Sequence, residues 1–144
     1  MAFTFPFQKV LDYKEKEKEF AQTEYGTSKL KQVEIDEQMQ DLAIEKEQVF
    51  MQYNHADRKT VSELQEVQQE LEHLNLKMQK LQVKSNEIHL EVERNQQVLI
   101  ERLQETKMWN QWKTKSMAAF QKQAEKKEQA LLDEMAVLRY SRKA

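Results

Sequence analysis

The chain has 144 residues, with 23 Lys or Arg against 25 Asp or Glu, a single Gly, a single Pro and no Cys. So few turn formers exclude the many reversals of a sheet or compact bundle, and the lack of Cys excludes disulfides and thiolate metal sites. Only 39% of the residues are hydrophobic and the mean hydropathy is -0.93, which predicts long, largely solvated helices and no core wide enough for a small-molecule pocket.

Met1 to Phe5 is an apolar lead-in, and Pro6 suits a first helical turn, where its missing N–H would have had no intrahelical partner. From Phe7 a seam follows spacings of four and three: Phe7, Leu11, Lys14, Lys18, Ala21, Tyr25, Ser28, Gln32, Ile35, Met39, Leu42, Lys46, Val49 and Tyr53. It is apolar at both ends and polar between, so helix one, about residues 6–53, is expected to be held firmly near Phe7–Leu11 and Ile35–Tyr53 and loosely in its middle. Gly26 lies on this stretch without a change of phase and reads as a helical glycine costing about 1 kcal/mol, with a kink as the alternative.

The interval Asn54-His55-Ala56-Asp57-Arg58-Lys59-Thr60 has no large apolar residue, and Thr60 with Glu63, or Ser62 with Gln65, offers a capping box after it. A reversal is therefore expected at about 54–61, against one uninterrupted helix or a parallel dimer. Helix two, about 62–141, opens on the strongest seam of the chain: Leu64, Val67, Leu71, Leu74, Met78, Leu81, Ser85, Ile88, Val92, Asn95 and Leu99. Alternating spacing of this kind needs a second helix to cover it.

Folding back at 54–61 sets Phe7 opposite the Met108 region and leaves about 30 residues of helix two projecting, since its rise per residue is fixed. Asn95, Leu99 and Leu103 are two successive fours, which predicts a stutter in the seam. Beyond it an apolar stripe (Met117, Phe120, Ala124, Leu131, Met135, Leu138) runs beside Lys113, Lys115, Lys122, Lys126 and Lys127, and residues 107–144 hold nine Lys or Arg against four Asp or Glu. An uncovered apolar stripe among lysines is a surface for another protein. The expected fold is all-α, a long two-helix antiparallel coiled-coil hairpin with a C-terminal helical overhang, forming one domain over 1–144.

Chemistry of the chain's own is not expected. A phosphate loop needs several glycines, and only Gly26 exists; His55, His73 and His89 lack partners at metal-ligand spacing. No enzyme activity, cofactor, metal or small-molecule ligand is predicted. Trp109 and Trp112 form either an exposed contact patch or a wrap around the stutter that covers Phe7 or Leu11. Lysines mixed with these rings are also interleaved with Glu125, Glu128 and Asp133 in a chain of net charge -2, which argues against nucleic acid. No run of about 18 apolar residues and no basic-then-apolar leader is found, so a cytoplasmic protein is expected.

Two end motifs carry a family resemblance. Phe5-Pro6-Phe7-Gln8-Lys9-Val10-Leu11-Asp12-Tyr13-Lys14-Glu15 resembles the opening pattern of the flagellar export protein FliJ family, and Glu125-Lys126-Lys127-Glu128-Gln129-Ala130-Leu131-Leu132-Asp133-Glu134 resembles its closing Glu-Gln, two residues, Leu-Asp-Glu. The resemblance implies a soluble part of the bacterial flagellar type III export apparatus. Such a protein is a hairpin similar to the central stalk of rotary ATPases, without nucleotide hydrolysis of its own. It also implies an export ATPase hexamer, an export gate protein and export chaperones as partners, and a peripheral position on the inner face of the membrane, reached only through the apparatus. By carry-over, Phe7, Lys9, Leu11, Lys14, Glu128, Gln129, Leu132, Asp133 and Glu134 would meet the ATPase. Leu42, Val49, Tyr53, Val67 and Leu71, on the rod nearer the reversal, are taken for the gate contact. The rival readings are a helical chaperone or adaptor module and a self-associating structural coiled coil unrelated to flagella.

Overall fold

A computed structural model describes residues 2–55 and 60–143. Helix α1 spans Gln8–Asn54 and helix α2 spans Val61–Lys143, packed antiparallel as a helical hairpin, with no strand among the described residues. Four residues of the expected reversal, 56–59, lie outside the described residues. Its exit is sealed as the capping-box spacing predicts: Glu63 N donates to Thr60 Oγ1 at 3.1 Å, and Thr60 N donates to Glu63 Oε2 at 3.4 Å. Entry to α1 is set by Phe5 and Phe7, whose carbonyls accept from Gln8 N at 3.2 Å and Leu11 N at 3.0 Å, with Pro6 in the turn between them.

Contacts divide the chain into two compact units, one reaching Glu19 and resuming at Ile100, the other Phe20–Leu99. Within Phe20–Leu99 the inward positions are those the heptad spacing marks. Ala21, Ser28, Val49, Leu74, Ser85, Ile88 and Val92 are buried, and Tyr25, Gln32, Ile35, Met39, Leu42, Lys46, Tyr53, Val67, Leu71, Met78, Leu81, Asn95 and Leu99 are half-buried. Asn95 Nδ2 donates to the Glu24 carbonyl at 3.3 Å, and Gln32 Nε2 donates to His89 Nδ1, which fixes the antiparallel register from side chain to partner helix.

The expected loose middle of α1 is corrected here. Ala21 and Ser28 are among the most enclosed residues, at 4% and 1% exposure, because small side chains on the seam let two backbones close on each other. The looser stretch is at the start of α2, where Val61 is 71% and Leu64 40% exposed. Gly26 makes no kink: α1 runs through it with no positive φ, and a Cβ there would meet nothing within 4 Å. Gly26→Ala is therefore expected to stabilise the protein by about 0.5–1 kcal/mol, read as a higher urea midpoint at unchanged slope.

The expected stutter is also corrected. Burial continues Leu99, Arg102, Thr106, Trp109, Lys113, Ser116 and Phe120 in unbroken alternation of three and four, while Leu103 is 42% exposed. Arg102 takes the inward phase because carboxylates wait for it there. Its Nη1 lies 3.0 Å from Glu17 Oε2 and 3.4 Å from Glu105 Oε2; the first contact is an ion pair without hydrogen-bond geometry.

Candidate interaction surface

The unit that reaches Glu19 and resumes at Ile100 gathers both end motifs. Its non-helical lead-in lies along α2 as an aromatic strap. Phe5, 4% exposed, sets its ring edge-on to Phe7 and to Trp112, each at 5.9 Å between centroids. Phe7 stacks on Trp112 at 4.9 Å, Trp109 tilts against Trp112 at 5.2 Å, and Phe3 meets Phe120 at 5.5 Å. Offset and edge-on pairs suit the ring quadrupoles. Phe7 thus sits about one turn beyond the expected Met108 level; the tryptophans cover Phe7, as one reading of them expects, and Trp112 stays 45% exposed, as the other does.

Past the rings, carboxylates and cations tie α1 to α2. Lys14 Nζ bonds Glu105 Oε2 at 3.1 Å, Thr106 Oγ1 donates to the Lys14 carbonyl at 3.3 Å, and Asn110 Nδ2 donates to Glu15 Oε1 at 3.2 Å. Lys18 Nζ closes on Glu15 Oε2 at 2.8 Å. The Lys14 ammonium holds the Glu105 carboxyl below its ordinary range, and Lys18, helped by Asn110, does the same for Glu15. A carboxyl depressed on folding stabilises the folded state fully above its unfolded value, about 4.3, and loses that contribution as pH falls through the lowered folded value. Acidification from pH 5 to 2 is therefore expected to weaken this unit. In a carboxyl NMR titration, Lys14→Met should move the Glu105 midpoint up toward the ordinary value and leave Glu15 where it is.

Beyond Phe120 the helix is bare. Every residue from Gln121 to Arg142 is exposed, including Leu131 at 57%, Met135 at 55% and Leu138 at 62%. These 22 residues span about 33 Å, shorter than the overhang expected because the strap covers α2 as far as Phe120.

The residues carried over for the ATPase fall in this one unit but in two places. Leu11 is buried at 3% and Lys14 half-buried in its ion pair, whereas Phe7 is 42% exposed and Lys9 exposed. Glu128, Gln129, Leu132, Asp133 and Glu134 are all exposed on the bare helix, with Gln129 Nε2 donating to Asp133 Oδ1 at 3.2 Å. Trp112 to Glu128 is roughly 24 Å of helix, so the two sets do not form one patch. In Phe20–Leu99, Val49 is buried and Leu42, Tyr53, Val67 and Leu71 are half-buried in the seam; the exposed apolar side chains of the same stretches are Ile44, Phe50, Met51, Val61 and Leu64. Sequence reasoning missed the strap as a packed element. Its signal was Phe3, Phe5 and Phe7 at a spacing of two, the period of an extended chain with one face inward.

Among the described residues no group of His, Cys, Asp or Glu is arranged to hold a metal ion, and no helix is long and apolar enough to cross a membrane. The family model described as Flagellar FliJ protein matches residues 3–144. No curated protein and no solved structure matches the chain.

Proposed function

Because this chain belongs to the flagellar FliJ family and is thereby related to flagellar export, we propose that it serves as a coiled-coil stalk that binds and promotes the export ATPase ring. The observation that carries the reading is the bare end of α2: 22 consecutive exposed residues with Leu131, Leu132, Met135 and Leu138 among them, on a stretch that no described residue covers. An apolar helix end left in water is stabilised by insertion into a partner's cavity, and a ring offers one. Leu132, Asp133 and Glu134, with Glu128 and Gln129, are the inserted contacts; Phe7, Lys9, Leu11 and Lys14 form and brace the collar where the strap ends.

The export gate protein is assigned to the hairpin around Leu42, Val49, Tyr53, Val67 and Leu71. These side chains support the two backbones there, and Ile44, Phe50 and Leu64 beside them are available for contact. Export chaperones share the outer faces. On this reading the protein is an adaptor without catalysis of its own, cytoplasmic and drawn to the inner face of the membrane through its partners.

The test is a chain ending at Phe120, assayed with the cognate export ATPase. It should keep its helical ellipticity per residue and its tryptophan emission while losing stimulation of ATP hydrolysis at least tenfold. Undiminished stimulation would refute insertion of the bare helix.

A further inference from the structure

The outer side of α1, opposite the half-buried Leu42 and the buried Val49, carries a row of large apolar side chains within the unit Phe20–Leu99. Leu30, Val33, Ile44 and Met51 are each more than half exposed, and at about 3.6 residues per turn all four fall within an arc of roughly 60° along about 32 Å of helix. Glu37 stands inside that arc, Glu34 and Asp41 border it on one side, and Glu47 borders it on the other. Residues 34–47 hold six Asp or Glu against a single Lys, and that one, Lys46, is half-buried in the seam. Among the described residues none of the six carboxylates is in an ion pair. Lys77 and Lys80 of α2 flank Asp41 and Leu42 at the edge of the seam, whereas Glu37 and Glu47 are exposed on the outer side. The row is thus apolar, helical in period and negatively charged along both borders.

We propose that this row docks a basic amphipathic helix of a partner protein along the back of α1. Intervals of three, eleven and seven residues are those at which one helix face meets another, and an extended peptide would need an unpaired strand edge, of which the described residues offer none. Lys or Arg beside the apolar seam of the incoming helix would answer carboxylates on both borders, and an acidic helix would be repelled by them, which fixes the sign of its charge. A second copy of the chain is the poorer occupant. Row against row would set like charges together, and the bare stripe of α2 at Leu131 and Leu138 stands among Glu128 and Glu134 as well as Lys127 and Arg142. The inference deepens the reading that the outer faces take partner proteins, on which it rests, by giving the partner segment a fold and a charge.

Two designed helical peptides with the same leucine seam, one flanked by Lys and one by Glu, test it against the full chain by fluorescence anisotropy. The Lys peptide should bind roughly tenfold more tightly than the Glu peptide. Glu37→Lys with Glu47→Lys should invert that preference, and Ile44→Ser with Met51→Ser should weaken both peptides at unchanged ellipticity. Glu66→Lys with Glu70→Lys, at exposed positions of α2, should leave both affinities as they are, which separates the row from the general charge of the chain. Equal binding of the two peptides, a preference that survives the reversal on α1, the same loss from the reversal on α2, or a dimer of the full chain in sedimentation that Ile44→Ser with Met51→Ser dissolves would each overturn the proposal. Designed peptides take the place of export proteins here, so the proposal can fail while the reading above stands.

Discussion

Phe5→Ala is expected to destabilise the strap and the α2 stretch under it by about 3 kcal/mol. Phe5 is 4% exposed although it precedes the helix, and its ring touches both Phe7 and Trp112 edge-on. Truncation removes a large buried area and two ring pairs, each worth roughly 1 kcal/mol beyond that area. No backbone ladder holds residues 2–6 in place, so the rings carry the attachment. Both tryptophans of the chain belong to this cluster, so emission reports on it alone, whereas ellipticity reports on all of α1 and α2. The variant should show red-shifted native emission and a fluorescence midpoint in urea below its ellipticity midpoint, two transitions that no longer coincide. Phe20→Ala, at a ring 67% exposed, should leave both midpoints within about 0.5 kcal/mol of the parent. Unchanged emission in Phe5→Ala would mean that the strap is not packed on Trp112 in solution.

Leu74→Ala should have the largest effect of any single truncation within Phe20–Leu99, about 3 kcal/mol. Leu74 is 2% exposed and, with Ser28, is one of the two most completely enclosed side chains among the described residues. A two-helix pair has only one layer of contacts at each level, so the neighbours of a missing leucine have no second shell to collapse onto it. Leu76, two residues later, is 57% exposed on the outer face, and Leu76→Ala should cost less than about 0.5 kcal/mol. Amide exchange distinguishes the pair: protection around Leu71–Met78 and the facing part of α1 should fall in the first variant and persist in the second. Equal effects would show that heptad phase does not decide burial here.

How much of this was legible in the sequence follows from what hydrophobic period can and cannot encode. The seam from Leu11 to Tyr53 and from Val67 to Leu99 was readable, because only one face of a long helix can be covered in a hairpin, and a period near 3.5 marks that face. The Thr60–Glu63 cap was readable for a different reason, since its chemistry is local. Past Leu99 the same reading failed. An apolar Leu103 looked like the next seam residue, yet Arg102 occupies the inward phase because Glu17 and Glu105 meet its charge, and ion pairs formed across two helices leave no trace in a hydrophobic period. Register was missed by about a turn for a related reason: it is set by side chains that pair across the helices, Lys14 with Glu105 and Asn110 with Glu15, rather than by the spacing of leucines. The candidate surface was half legible. Exposed Leu131 and Leu138 could be seen once the arms were known to be unequal, but the strap that shortens the bare helix is an extended segment that helical spacing cannot find.

The polar contacts between α1 and α2 have a mechanical side. Each compact unit carries some, Asn95 to the Glu24 carbonyl in one and Lys14 to Glu105 in the other. A greasy interface can glide by a heptad and regain nearly every contact it gave up, and a helix offers another backbone carbonyl seven residues on, but the same slide would set Glu105 against Phe7 or Ala21 in place of Lys14. Under a pull along the axis it is therefore the charged pair, and not the leucines or the carbonyls, that acts as a tooth in a rack.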